Sequence, residues 1–175
     1  QGLYYNPDII FPDGRKKIQG HCTDVVTDLA VEWLNHKRSE DKPFMIMVQH
    51  KAPHRNWMPA LRHLSLYEDI EIPEPPTLFD EWKDNAPGAR FQELEIDRHM
   101  DLNYDLFVDL TPDFKQPPSQ EKQDRSAWHN MKRMTPEQLK AWMDYYGPLD
   151  EEFHRAKLSG KDLVRWKFQR YAKNY

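Results

Sequence analysis

Apolar positions along this 175-residue chain form a clear helical period, then an unbroken run, then two later helical patterns. Val25, Val26, Leu29, Ala30, Trp33 and Leu34 recur at helical spacing, which predicts an amphipathic helix over residues 23–37. Thr23 is the expected N-cap, and Asp24 complements the positive end of the helix. A charged connector over 35–41 leads to Pro43 and then to five apolar residues, 44–48. Unbroken apolarity, as opposed to alternation, predicts a strand covered on both faces. Pro43 before the run and Pro53 after it favour strand over a buried helical turn. Helix, short connector and buried strand together predict an α/β fold class.

The other patterns are weaker. Asn6-Pro7 and Pro12-Asp13-Gly14 are turn signals around a short extended segment at 9–11. Residues 61–67 fit one or two helical turns. Residues 70–78 are too Pro-rich for regular structure, 91–102 fit a helix, and 106–119 read as extended and Pro-punctuated. Thr135-Pro136-Glu137-Gln138 has a capping Thr, Pro at the first helical position and Gln at the third. That helix is expected to stop at Gly147-Pro148, with a last helix from about residue 161. Trp33 and Trp166 fall on apolar helical faces and read as core. The organisation expected is a helix–strand portion over 1–59, an irregular insert over 60–130, and C-terminal helices over 131–175.

Composition narrows the function classes. Hydrophobic residues at 38% and aromatic residues at 13% fit a folded chain. A formal net charge of -4 gives no electrostatic reason to expect nucleic acid or an anionic membrane surface. No apolar run reaches the length of a membrane span. Cys22 is the single cysteine, so no internal disulfide forms. Opening on Gln1 and closing inside a helical pattern is what a portion of a longer protein is expected to show.

The chemistry concentrates where the 44–48 run ends. Open α/β sheets place ligands just beyond the carboxyl ends of their strands. There the chain reads Gln49-His50-Lys51-Ala52-Pro53-His54-Arg55-Asn56-Trp57. Pro53 keeps Ala52 out of the helical region, so His50 and His54 do not form a helical metal pair. Lys51 and His54 are donors suited to a tetrahedral oxyanion, and His54 is suited to protonate a leaving oxygen. The same residue types also serve as a solvated loop with one histidine held by backbone. His99 and His129 read as structural histidines. Trp57, Trp82 and Trp128 sit in loops, where aromatics stack on sugars or cover a core edge.

Lys-Ala-Pro-His-Arg-x-Trp over 51–57, after a Pro-Phe-apolar run, resembles the central segment of the sulfatase family in the alkaline-phosphatase-like superfamily. The 20–34 segment, Tyr4-Tyr5-Asn6-Pro7, the 75–80 stretch and the 98–104 stretch resemble the same family, in a branch acting on polysaccharides or glycosaminoglycans. The resemblance implies part of an alkaline-phosphatase-like sheet flanked by helices. It implies hydrolysis of a sulfate ester on a sulfated saccharide, a formylglycine nucleophile and a calcium ion. It implies His54 as the catalytic residue of this segment, with Lys51, His54, Arg55 and Trp57 binding substrate. It also implies a periplasmic or extracellular location. Cys22 stands in His21-Cys22-Thr23-Asp24-Val25, which departs from the formylglycine motif, and no early Asp pair for a metal is present. This segment alone is therefore expected to lack the nucleophile and metal ligands and to be inactive. A phosphatase, phosphodiesterase or phosphonate hydrolase of the same superfamily stands as one rival reading. A non-catalytic carbohydrate-binding or structural portion stands as another.

Overall fold

The computed structural model describes residues 2–109 and 127–175. The charged run at 120–125, which reads as a solvated face, and most of the 106–119 stretch lie outside them. The chain opens with a hairpin, β1 (Asp8–Phe11) and β2 (Gly14–Lys17), paired antiparallel with Asp8 opposite Lys17 and Phe11 opposite Gly14. The tight connection needs a positive φ, which Gly14 supplies at +126°.

Helix α1 covers Cys22–His36. Its start is set by backbone pairing: the Cys22 amide donates to the Tyr4 carbonyl at 2.7 Å, and Asn6 donates to Gly20 at 2.8 Å. The helix therefore begins before Thr23. His21 occupies the N-cap without a capping side chain, which corrects the expected cap at Thr23. Trp33 is half-buried instead of core and meets Phe44 edge-on at 5.4 Å.

Residues 44–48 form no strand, against expectation. Met45 is 82% exposed and Met47 70%, with Phe44, Ile46 and Val48 also exposed. A strand needs a hydrogen-bonding neighbour, and among the described residues the only sheet is the β1–β2 hairpin. The apolar run thus has no strand partner among the described residues, with Met45 and Met47 toward solvent and Phe44 against Trp33.

A 3-10 turn, Leu61–His63, follows. Two further short helices follow in the described part of the insert, α2 (Pro87–Arg90) and α3 (Ile96–His99). The helix expected over 91–102 is cut to four residues because Met100 turns extended. Its neighbouring carbonyls are claimed elsewhere: Lys167 takes those of Asp97 and Met100, at 2.9 and 3.1 Å.

After α4 (Trp128–Met131), the long helix α5 spans Pro136–Ala156. The Thr135/Gln138 capping box is present as the sequence predicts. The predicted stop at Gly147-Pro148 is not: α5 runs through Pro148 and ends at Lys157 with φ +47°. Proline removes one amide donor. The apolar stripe nevertheless continues to Phe153, whose ring packs 4.6 Å from Trp166 on the last helix. That helix, α6 (Gly160–Asn174), returns along α5, and Tyr146 donates to Asn174 at 2.9 Å. Trp166 is half-buried in this seam, not central core.

The core gathers Tyr4, Tyr5, Met58, Phe107, Ala127, Met131, Trp142 and Tyr146. Tyr5 and Phe107 both meet Trp142 edge-on, at 5.8 and 5.0 Å, the geometry favoured by ring quadrupoles. A polar network locks the N-terminal segment to α5. The Asn6 side chain donates to Gln138 at 2.7 Å and accepts from the Gly20 amide at 2.9 Å, so the capping glutamine also holds the chain start. None of the described helices is long and apolar enough to cross a membrane.

Trp142 is fully buried while Ile10 is 76% exposed. Trp142→Ala is expected to lower unfolding free energy by about 3–5 kcal/mol in urea titrations. Ile10→Ala is expected to change it by less than about 0.5 kcal/mol. Equal effects would place the core elsewhere.

Candidate functional site

Residues 51–57 form a compact turn in which the His54 amide donates to the Lys51 carbonyl at 2.8 Å. Lys51 and His54 are therefore brought together on one turn. Tyr4 supports both: its hydroxyl donates to the His54 carbonyl at 2.6 Å, and the Lys51 ammonium lies 4.9 Å from its ring centroid. Tyr4 is buried, at 2% exposure.

The next residues anchor the turn to the insert. The Arg55 guanidinium donates through Nε and an Nη to the two carboxylate oxygens of Asp105, both at 2.6 Å, and to the His99 carbonyl at 3.0 Å. Asp105 is sealed from solvent and also accepts from the Asp101 amide at 2.8 Å. Asn56, buried at 1% exposure, donates to the Tyr104 carbonyl at 2.9 Å and accepts from Asn130 at 3.2 Å. The peptide bonds Ala52-Pro53 and Arg55-Asn56 are both cis.

These anchors orient His54. Its Nδ1 contacts the Arg55 carbonyl, so Nδ1 carries the hydrogen and donates. The ring is exposed, and Nε2 is the nitrogen left to meet a ligand. Burial pushes the Lys51 ammonium below the ordinary lysine range, with Cys22 acting in the opposite direction. The pair thus offers an ammonium to an anion, and a second donor at His54 Nε2 when both ring nitrogens carry hydrogen.

The four sequence-predicted residues divide into two roles. His54 is exposed and held from behind, while Lys51 is half-buried with its ammonium against the Tyr4 ring. Arg55 is engaged by Asp105, and Trp57 donates its indole N–H to the Pro53 carbonyl at 2.9 Å while packing 4.7 Å from Tyr171. Sequence reasoning missed Asp105 and the support given by Tyr4. Tyr4 lay in a quoted motif, but Asp105 carried no local signal.

Comparison with solved structures finds a protein titled BT4656 in complex with its substrate, D-glucosamine-2-N,6-O-disulfate. The superposition has a TM-score of 0.82 at 33% identity and covers 99% of this chain and 34% of that one. Among curated proteins, an N-acetylglucosamine-6-O-sulfatase of Bacteroides thetaiotaomicron is 36% identical over 176 residues, covering 100% of this chain and 30% of that protein. The chain belongs to the sulfatase family. No family model matches it. The chain spans about a third of the length of these sulfatase relatives.

Within this sulfatase segment, Cys22 lies buried in the first turn of α1, and burial raises its thiol above the usual range. A sealed, protonated thiol is a poor nucleophile. Among the described residues, no group of three or more His, Cys, Asp or Glu side chains could hold a metal. The described residues therefore do not fit a calcium site.

Two outcomes test the site. Lys51 should deprotonate before the main lysine envelope in a 13Cε-resolved NMR titration, because its folded-state pKa is depressed. Anion affinity at this position then fades as pH rises through that lowered value. A Lys51 signal titrating with the envelope would contradict its burial. Asp105→Ala leaves Arg55 without its counterion, but Arg55 is 37% exposed and draws on water. The expected loss is about 2 kcal/mol, read as a shift of the urea midpoint. A shift near zero would remove Asp105 as the anchor.

Proposed function

We propose that the protein carrying these residues hydrolyses a sulfate ester on a sulfated carbohydrate, with O–S cleavage releasing an alcohol and inorganic sulfate. The observation that carries this reading is the Lys51–His54 turn, held by Tyr4 and by the Arg55–Asp105 anchor, in a segment similar throughout to a glucosamine sulfatase. His54 acts as the imidazolium: its Nε2–H passes to the departing sugar oxygen, its Nδ1–H stays on the Arg55 carbonyl, and the ring is left as neutral imidazole. Lys51 offsets negative charge on the sulfate oxygens. Arg55 shapes the turn and Trp57 forms a wall beside it.

The similarity to a protein solved with D-glucosamine-2-N,6-O-disulfate favours a sulfated glucosamine as substrate. We further propose that the 44–48 run is a strand of an alkaline-phosphatase-like sheet whose partner strands come from other parts of the protein. The 175 residues alone are then inactive, since they span about a third of the relatives.

The test is sulfate release from a 6-sulfated glucosamine by the intact gene product, with and without His54→Ala. Turnover should fall at least about 100-fold in the variant. Near-normal turnover would remove His54 from the mechanism. Release of phosphate from the matching phosphate ester, without sulfate release, would transfer the protein to a phosphatase reading.

A further inference from the structure

Beside the Lys51–His54 turn lies a cleft of about 300 Å³ that the mechanism above does not use. Ala52, Pro53 and Trp57 form its near wall, and Tyr4 joins it to the Lys51 ammonium. The far wall comes from residues 59–67 and the end of α6, with Tyr67, Tyr175, His63 and Lys173. Tyr67 is 45% exposed, although large aromatics normally seek cover.

The charge at this cleft comes down to Lys173. No Asp or Glu lines it, Arg62 is paired with Asp24, and burial lowers the pKa of His21, which contacts the Met58 carbonyl. The nearest carboxylates are already engaged from behind. Asp24 takes Arg62 through both oxygens, at 2.6 and 2.8 Å. Glu68 takes Arg170 at 2.8 Å and the Tyr145 hydroxyl. Lys173 donates one hydrogen to the Glu68 carbonyl at 2.9 Å, which fixes its ammonium and leaves further donors free. A larger cleft of about 790 Å³ between the insert and the start of α6 differs in kind: it carries four carboxylates, Asp80, Glu81, Glu95 and Asp97, against Arg98 and Lys161, a net negative lining that disfavours an anion.

We propose that the smaller cleft is a binding site for an anionic pyranose, the sugar adjoining the one whose ester faces His54. Aromatic walls suit the apolar faces of a sugar ring, and the fixed ammonium suits a sulfate or carboxylate on it. The volume is at the small end of ligand sites, matching one ring and not an oligosaccharide. The proposal rests on the sulfatase reading for what occupies the His54 side, and on the cleft itself for the second sugar.

The experiment compares kcat/KM of the intact gene product on a 6-sulfated glucosamine and on a disaccharide carrying one sulfate on each sugar. The disaccharide should be preferred by about tenfold, and Lys173→Ala should remove most of that preference. Tyr67→Ala, at a more exposed position, repeats the test if Lys173→Ala weakens folding. No wild-type preference, or equal losses on both substrates, would overturn the proposal. If neither substrate is hydrolysed, the sulfatase reading fails, and the cleft is then tested by direct titration with the disaccharide. Binding that weakens about tenfold in Lys173→Ala supports the cleft. Absent or unchanged binding overturns it.

Discussion

A carboxylate sealed from water needs donors on every oxygen, and Asp105 finds them on Arg55 and on the Asp101 amide. This pair joins the insert to the turn at 51–57 across fifty positions of sequence. Breaking a buried charge pair costs more than the pair contributes, because the remaining charge is stranded. The insert therefore cannot move away from the turn cheaply. With Asn56 on Tyr104 and Asn130, the anchor also fixes the Arg55 carbonyl that orients His54.

The same logic runs through the rest of the chain. Gln138 closes the capping box of α5 and at once holds Asn6, so the helix start and the N-terminal segment are one unit. That unit places Tyr4 beneath the turn, between the core and the Lys51 ammonium. At the other end, Glu68 ties the segment after Leu61–His63 to Arg170 and Tyr145, which sets the far wall of the small cleft. Arg170 is buried, and its pairing with Glu68 keeps the guanidinium charged against the cost of burial. Site and cleft thus stand on two ion pairs, each with one buried partner, and one helix cap.

Local signals carried what local physics decides. The period of Val25, Leu29 and Trp33 showed α1, and Thr135 with Gln138 showed the start of α5 to the residue. Lys51 and His54 stood out because a dense polar cluster follows an apolar run. What was not legible depends on partners distant in sequence. Pro148 marked a helix end locally, but packing beyond it, Phe153 on Trp166, outweighed one lost amide. Residues 44–48 have the pattern of a covered strand, yet no described segment lies alongside to pair with them. Arg55 was expected on the substrate side, and the carboxylate that holds it in the structure, Asp105, has no sequence signature.

The central claim is that a rigidly held turn presents Lys51 and His54 together to one sulfate group. A crystal structure of the intact gene product with a 6-sulfated glucosamine, in a turnover-blocked form with this turn unchanged, tests it directly. Lys51 Nζ and His54 Nε2 should both lie within hydrogen-bonding distance of the same sulfate ester, with Arg55 still on Asp105. A sulfate bound away from this turn, or reached only after Arg55 leaves Asp105, would contradict the account.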